Sequence, residues 1–366
     1  MLLELFIALV VVVLFSYIMR VSALGFRRPD LPPGPPTVPI LGNLHMMPKS
    51  HAYLKFTEWA KAYGEIYSLK MGPGTAIVLN TPRAVRKLLH ARSATTSNRP
   101  PNHFIHITSS GYNVGSAQPE NIWKTIRRVF SEMLTREACM NNLPIQKAEA
   151  TQLMHDLVMQ PEGFYTHVRR YASSVVLSVA FGIRCPRYEG SLVEEFFDIQ
   201  REWGRMLEPG VLPPLDTLPF LRYVPERWAS WKGISKDIRR RQRKLYFGLI
   251  ELCGRRIKDD RRNNCFMENV FDRQEQYNMK DEMLGYIGGM LMEAGFDTTS
   301  IFLQFLILCL VAFPEVQARA QKDIDRVIGR DRSPRFEDFD NLPYIDAIIK
   351  EASVPGSLRR QLTHGL

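Results

Sequence analysis

One heptapeptide of this chain, Glu293-Ala294-Gly295-Phe296-Asp297-Thr298-Thr299, gathers residue types that could do chemistry. Ala294 and Gly295 are small enough for a flat group to come close to the backbone. Asp297 and Thr298 then set an acid next to a hydroxyl, and a buried acid beside an alcohol is suited to relaying protons. A plainer reading stays open at this point, in which Thr298 bonds a carbonyl one turn back and the segment is a capped kink. Upstream, Trp123 and Arg127 lie one helical turn apart, the spacing of an ordinary cation–aromatic surface pair. The five cysteines, Cys139, Cys185, Cys253, Cys265 and Cys309, are odd in number and scattered, with no C-x-x-C pair. That argues against a disulfide framework or a zinc knuckle and fits a body facing a reducing cytosol. No metal-ligating set is read from the sequence.

These residues need elements to hold them. The acid and the alcohol fall in a run that starts at Asn278-Met279-Lys280-Asp281, an N-cap with an acid in the first turn. The run continues unbroken to Phe313, where Pro314 ends it, so the helix is roughly 50 Å long and crosses a whole domain. Its apolar part, Ile301–Phe313, is short for a bilayer. Extending it backward takes in Asp297 and Glu293, each costing about 2.5–3.5 kcal/mol near a bilayer centre. The pattern therefore predicts a buried core helix and not a second membrane span.

Before it, apolar spacing predicts a helix over His51–Tyr63 that stops at Gly64. Glu65–Lys70 and Ala76–Asn80 read as a hairpin joined by Met71-Gly72-Pro73-Gly74-Thr75. Thr81-Pro82 opens a helix through Leu89. From Ile122 helical signals dominate, with loops at Cys185–Gly190 and Pro209–Pro225. The expected fold is mainly α with a small β-sheet.

The amino terminus carries its own signal. From Leu2 to Met19 only Glu4 is charged, and a helix over that span rises about 27 Å, close to a bilayer core of about 30 Å. Arg20, Arg27 and Arg28 follow with no basic residue before them. The positive-inside rule then puts the amino terminus in the lumen and the body in the cytosol. No basic start and no good small-x-small site near Val21-Ser22-Ala23 supports cleavage, so residues 1–20 read as a retained anchor. Residues 21–50 read as a proline-rich hinge built on Leu31-Pro32-Pro33-Gly34-Pro35-Pro36, a stiff extended spacer or an ordinary linker.

Bulk properties exclude other classes. With 366 residues, 45% hydrophobic and 23% charged, the chain is neither disordered nor collagenous. The net charge of +10 is spread over many segments, with clusters at Lys236–Lys244 and Arg255–Arg262, the second diluted by Asp259 and Asp260. Without a zinc spacing, a ribonucleoprotein signature or a basic region followed by heptads, no nucleic-acid partner is expected. Anionic lipid, an acidic protein or plain solvation accounts for the charge.

Ala294-Gly295-Phe296-Asp297-Thr298-Thr299 on a long helix resembles the oxygen-activation motif of the cytochrome P450 family. Four further features agree in order. They are the anchor with its Pro-Pro-Gly-Pro-Pro hinge, Trp123-Lys124-Thr125-Ile126-Arg127, Phe313-Pro314-Glu315-Val316-Gln317, and Leu342-Pro343-Tyr344-Ile345-Asp346-Ala347 running to Glu351. The resemblance implies a haem-dependent monooxygenase that inserts one oxygen atom of O2 into a small apolar substrate, loosely similar to fungal secondary-metabolic members. It implies that Asp297 and Thr298 deliver protons and that Ala294 and Gly295 admit the haem. Trp123 and Arg127 would serve a haem propionate, and Glu351 would be structural. Membrane lipid and an NADPH-cytochrome reductase are the implied partners, at the endoplasmic reticulum membrane with a single span.

The resemblance breaks after Glu351. An arginine is expected three residues later, and the sequence reads Ala352-Ser353-Val354. Residues 51–352 therefore read as an incomplete catalytic domain and 353–366 as an unmatched tail, with the axial-cysteine loop absent. Cys185, in Phe181-Gly182-Ile183-Arg184-Cys185-Pro186, has the wrong spacing to replace it. The expectation from the sequence is an inactive, truncated form. The alternative is a membrane-tethered, non-catalytic binding or scaffold protein.

Overall fold

The computed structural model describes residues 16, 19, 23–48, 51–117, 121–208, 211–216 and 218–353. The expected anchor and the tail past 353 therefore fall almost wholly outside the described residues. The chain divides into two compact units, one of residues 1–128 with 198–242 and the other of 129–197 with 243–366.

In the first unit, helix α1 (Ala52–Tyr63) ends where Gly64 turns to φ 98°, a backbone conformation that glycine adopts without penalty. Strands β1 (Ile66–Met71) and β2 (Gly74–Leu79) pair antiparallel, with Ile66 opposite Leu79. Trp59 of α1 packs with Tyr67 and Leu69 of β1 in a buried cluster that Phe56 and Met46 close. Thr81 caps the next turn by accepting from the Ala84 N–H, with Pro82 at the first helical position. Helix α2 (His103–Ser109) is capped by Asn102 and buries Phe104.

The proline-rich segment is not a free spacer. Prolines carry no N–H, so their carbonyls are the backbone groups left to bond. Ser68 of β1 donates its N–H to Pro33 O at 2.8 Å and its hydroxyl to Pro32 O at 2.6 Å. Arg27 donates to Gly34 O, Pro35 O and Ser68 Oγ at 2.6–2.9 Å. Asn43, fully buried, donates to Pro36 O and accepts from Lys70 N–H, both at 2.8 Å. The expected hinge is strapped to the sheet.

Helices α3 (Asn121–Met133), α6 (Leu192–Leu207) and α7 (Ser230–Lys258) each run through residues of both units. The second unit holds α4 (Leu143–Met159), α5 (Phe164–Phe181), α8 (Phe266–Asp272), α9 (Asp281–Ala312), α10 (Pro314–Val327) and α11 (Pro343–Ala352). The long helix has the bounds its sequence predicts, with one correction at its start. Lys280 is the N-cap, while Asn278 sits two residues earlier at φ 47°. Asp281 and Glu282 occupy the first turn, where carboxylates favour the helix dipole.

Side chains from neighbouring helices fill the backbone of α9. A Cβ added at Gly285 would stand 2.5 Å from the Phe247 ring, at Gly288 2.9 Å from Phe181, and at Gly289 2.3 Å from Tyr246. Met283–Met290 are buried accordingly. The other half differs from the expected buried helix: Ile301, Leu308 and Val311 are 55, 58 and 72% exposed. Among the described residues α9 is the helix long and apolar enough to cross a membrane, by length and composition only.

A buried ion network ties α4 to α5. Glu149, 2% exposed, receives Arg170 and Arg184 at 2.6 Å each, and Arg170 is itself 3% exposed. Burial alone would raise the Glu149 carboxyl, but the bonds from Arg184 and Arg170 outweigh it and hold it below its ordinary 4.5. The ionised form is thus favoured by folding, so this stability is present above pH 4.5 and is lost as pH falls through the lower folded value. Glu149→Ala is expected to destabilise by up to about 3–5 kcal/mol, because it leaves the buried Arg170 with Asp156, at 3.2 Å, as its remaining carboxylate partner. Chemical unfolding of wild type and Glu149→Gln from neutral to acid pH checks the sign. The wild type should lose its advantage only below pH 4.5.

Candidate functional site

The acid–alcohol pair lies midway along α9, within the continuous helical run Asp281–Ala312. Thr298 donates its hydroxyl to the carbonyl of Ala294, one turn back, and Ser300 donates to Asp297 O at 3.0 Å. The plainer reading of Thr298 therefore describes its ground-state bond. Asp297 and Thr298 are both exposed, so the acid is not the buried group the sequence suggested. Ala294, Asp297, Thr298 and Ile301 follow the i, i+3, i+4, i+7 spacing of one helix face, and all four are exposed. That face offers a small side chain, an acid, a hydroxyl and an aliphatic group within two turns.

Gly295 points elsewhere. A Cβ there would meet Val176 Cγ2 of α5 at 2.5 Å, so what comes close to this backbone is a valine. Phe296, next to it, is fully buried and meets Phe196 with ring centroids 4.7 Å apart. Gly295 is a packing residue of the α5–α9 contact and does not line the open face. Glu293, which sequence reasoning passed over, accepts from the Tyr246 hydroxyl at 2.8 Å. Only its position one turn before Asp297 could have flagged it.

Trp123 and Arg127 lie in the first unit, on α3. Trp123 is half-buried and lines a cavity of about 270 Å³ with Leu89, Thr96 and Arg99, while Arg127 is exposed. Glu351 is exposed in the last turn of α11. The basic stretch at Arg239–Lys244, part of the Lys236–Lys244 cluster, is largely engaged within the chain. Arg239 donates to Ile107 O at 2.9 Å, Arg240 pairs with Asp237, Arg241 with Glu202 at 3.1 Å, and Arg243 with Glu282.

The exposed face of α9 sets the small or uncharged side chains of Ala294, Thr298 and Ile301 beside one carboxylate, Asp297, which is compatible with a flat group lying along it. The cysteines do not fit an iron. A thiolate ligand must be deprotonated and aimed at open space. Cys185 is buried, its Sγ donates to Arg187 O at 3.0 Å, and burial pushes its thiol up. Cys253 and Cys265 are buried against Arg256. Cys309 is half-buried on α9 with its thiol raised by burial, and Cys139 is exposed. Among the described residues no group of three or more His, Cys, Asp or Glu could hold a metal ion.

Comparison with known proteins gives one consistent match. The sequence profile described as Cytochrome P450 matches residues 32–353. A cytochrome P450 monooxygenase of Armillaria gallica is 48% identical over 347 residues, covering 94% of this chain and 65% of that protein. Those of Arthrobotrys oligospora and Aspergillus terreus are 36 and 34% identical, covering 93% of this chain and 65 and 64% of their own lengths. The chain thus spans just under two-thirds of the curated relatives it matches.

The Gly295 contact makes a stability prediction. Gly295→Ala forces Cβ against Val176 and is expected to cost about 1–3 kcal/mol, less the roughly 1 kcal/mol that alanine gains in a helix. Adding Val176→Ala should return most of the net loss. A four-variant unfolding cycle measures the coupling, and additive effects would mean that Val176 does not confine this glycine.

Proposed function

The chain belongs to the cytochrome P450 family, and from that membership we propose that it contributes the oxygen-side wall of a haem-dependent monooxygenase acting on a small apolar metabolite. The observation that carries this reading is the exposed face Ala294–Asp297–Thr298–Ile301 on an unbroken α9. Haem, when bound, supplies reduction of O2 at iron, and the chain's residues supply contact and protons. Ala294 and Thr298 would hold the ring, and Ile301 would keep water from it. Asp297, exposed and ionisable, passes a proton to the Thr298 hydroxyl, whose bond to Ala294 O holds its oxygen at a fixed place on the helix. Trp123 and Arg127 are assigned to a haem propionate, and Glu351 to a structural role, on the family resemblance. An apolar amino-terminal anchor in the endoplasmic reticulum membrane and electrons from an NADPH-dependent reductase complete the proposal. The five cysteine environments support a further part of it, that none of these thiols ligates the iron.

Haem titration of the full chain tests the face directly. Thr298→Trp, which fills the open face without touching the packed side of α9, is expected to weaken haem uptake by about tenfold or more with unchanged circular dichroism. Uptake unaffected by that substitution would sink the reading of α9. The reduced carbon-monoxide difference spectrum of the same 366-residue chain should lack the band of thiolate-ligated haem. Its presence would show that one of the five thiols serves after all.

A further inference from the structure

Cys253 and Cys265 lie far apart from the face of α9 in role, and the proposed function uses neither. Cys253 is on α7 and fully buried, and Cys265 is the N-cap of α8, 6% exposed. One Arg256 nitrogen reaches both sulfurs, at 3.4 Å to Cys253 and 3.5 Å to Cys265. The same guanidinium bonds Phe181 O at 2.5 Å and Glu268 at 2.9 Å, so it is fixed in place. The Cys253 thiol donates to Phe181 O at 3.9 Å, and the proximity of the two sulfurs pushes the Cys253 thiol up and draws the Cys265 thiol down. Glu268, the other charged group facing them, has its carboxylate turned to the backbone N–H groups of Asn263 and Cys265.

Cys265 is the nearer of the two to the surface. Asn264 and Phe266, the residues flanking Cys265, line a cavity of about 190 Å³ together with Cys139 and Asn269. The loop leading to Cys265 is exposed over Asp260–Asn264 and holds two non-glycine residues at positive φ, Asp260 at 53° and Asn264 at 54°. Cys265 thus borders exposed chain and is 6% exposed, while Cys253 has no exposed surface.

We propose that Cys253 and Cys265 form a dithiol that hydrogen peroxide converts to a disulfide, with Cys265 attacking first and Cys253 resolving. Cys265 Sγ attacks one peroxide oxygen, the O–O bond breaks, and the departing oxygen leaves as water with the thiol's proton. Cys253 Sγ then displaces the hydroxyl from the Cys265 sulfur, and its own proton leaves with that hydroxyl as a second water. Two thiols lose two electrons and one peroxide becomes two waters. Arg256 assists because a cation beside a sulfur favours the thiolate, which is the nucleophile. The product would staple the end of α7 to the start of α8 across the exposed loop.

Peptide mapping of the reduced full chain after one equivalent of hydrogen peroxide reads the outcome. A crosslinked peptide joining Cys253 to Cys265 should accumulate about tenfold faster than oxidation at Cys185 or Cys309. In Cys253→Ser the reaction should stop at Cys265 sulfenic acid, trapped by a 1,3-diketone, and in Cys265→Ser neither product should form. Arg256→Lys should keep the rate within a few-fold and Arg256→Gln should slow it by about tenfold. Circular dichroism identifies any variant that fails to fold, and the wild-type mapping stands without it. Peroxide consumed chiefly at Cys139, a sulfenic acid trapped first on Cys253, or no Cys253–Cys265 crosslink at completion would each overturn the proposal.

Discussion

The close approach of side chains to the backbone of α9 is the constraint on which the second unit depends. Gly285, Gly288, Gly289 and Gly295 leave room that Phe247, Phe181, Tyr246 and Val176 occupy, each at a distance no Cβ tolerates. Every glycine in a helix interior costs roughly 0.5–1 kcal/mol relative to alanine. The contacts they admit bury whole aromatic rings, and a buried ring returns more than that cost. The packed side of α9 is thereby fixed, and with it the opposite side, where Ala294, Asp297, Thr298 and Ile301 are exposed. Which residues face outward in the middle of α9 is a result of which residues are glycines on its other side.

Helix α9 also shows what could be read from sequence. Its bounds were legible because charge at Asp281 and Glu282 and the proline at Pro314 are local signals, and local chemistry decides where helices start and stop. The hairpin and the stop at Gly64 were legible for the same reason. The N-cap was misplaced by two residues, since Asn278 prefers the left-handed turn that leads into the helix.

The site was less legible. A small residue in a sequence admits something, but its partner lies in another segment, so Gly295 looked open to a flat ligand when Val176 was already there. Asp297 read as a buried acid beside an alcohol, but burial is set by which helices reach a residue, and Asp297 is exposed. The basic stretch on α7 read as a face open to solvent, lipid or an acidic protein because its partners Glu202, Glu282 and Ile107 O are remote in sequence. The proline-rich segment read as a spacer because a run of prolines shows what the backbone lacks and not what its carbonyls will accept. In each case the residue type was informative and the contact that used it was not local.

The strap formed by Arg27, Ser68 and Asn43 bears on mechanics. Arg27, Pro32 and Asn43 are each tied to β1 by bonds at 2.6–2.9 Å, so the segment they bound is not a slack leash. Tension applied from the Arg27 end would load the strap and the first strand in shear before any slack could pay out. The proline run behaves as part of the sheet it lies on.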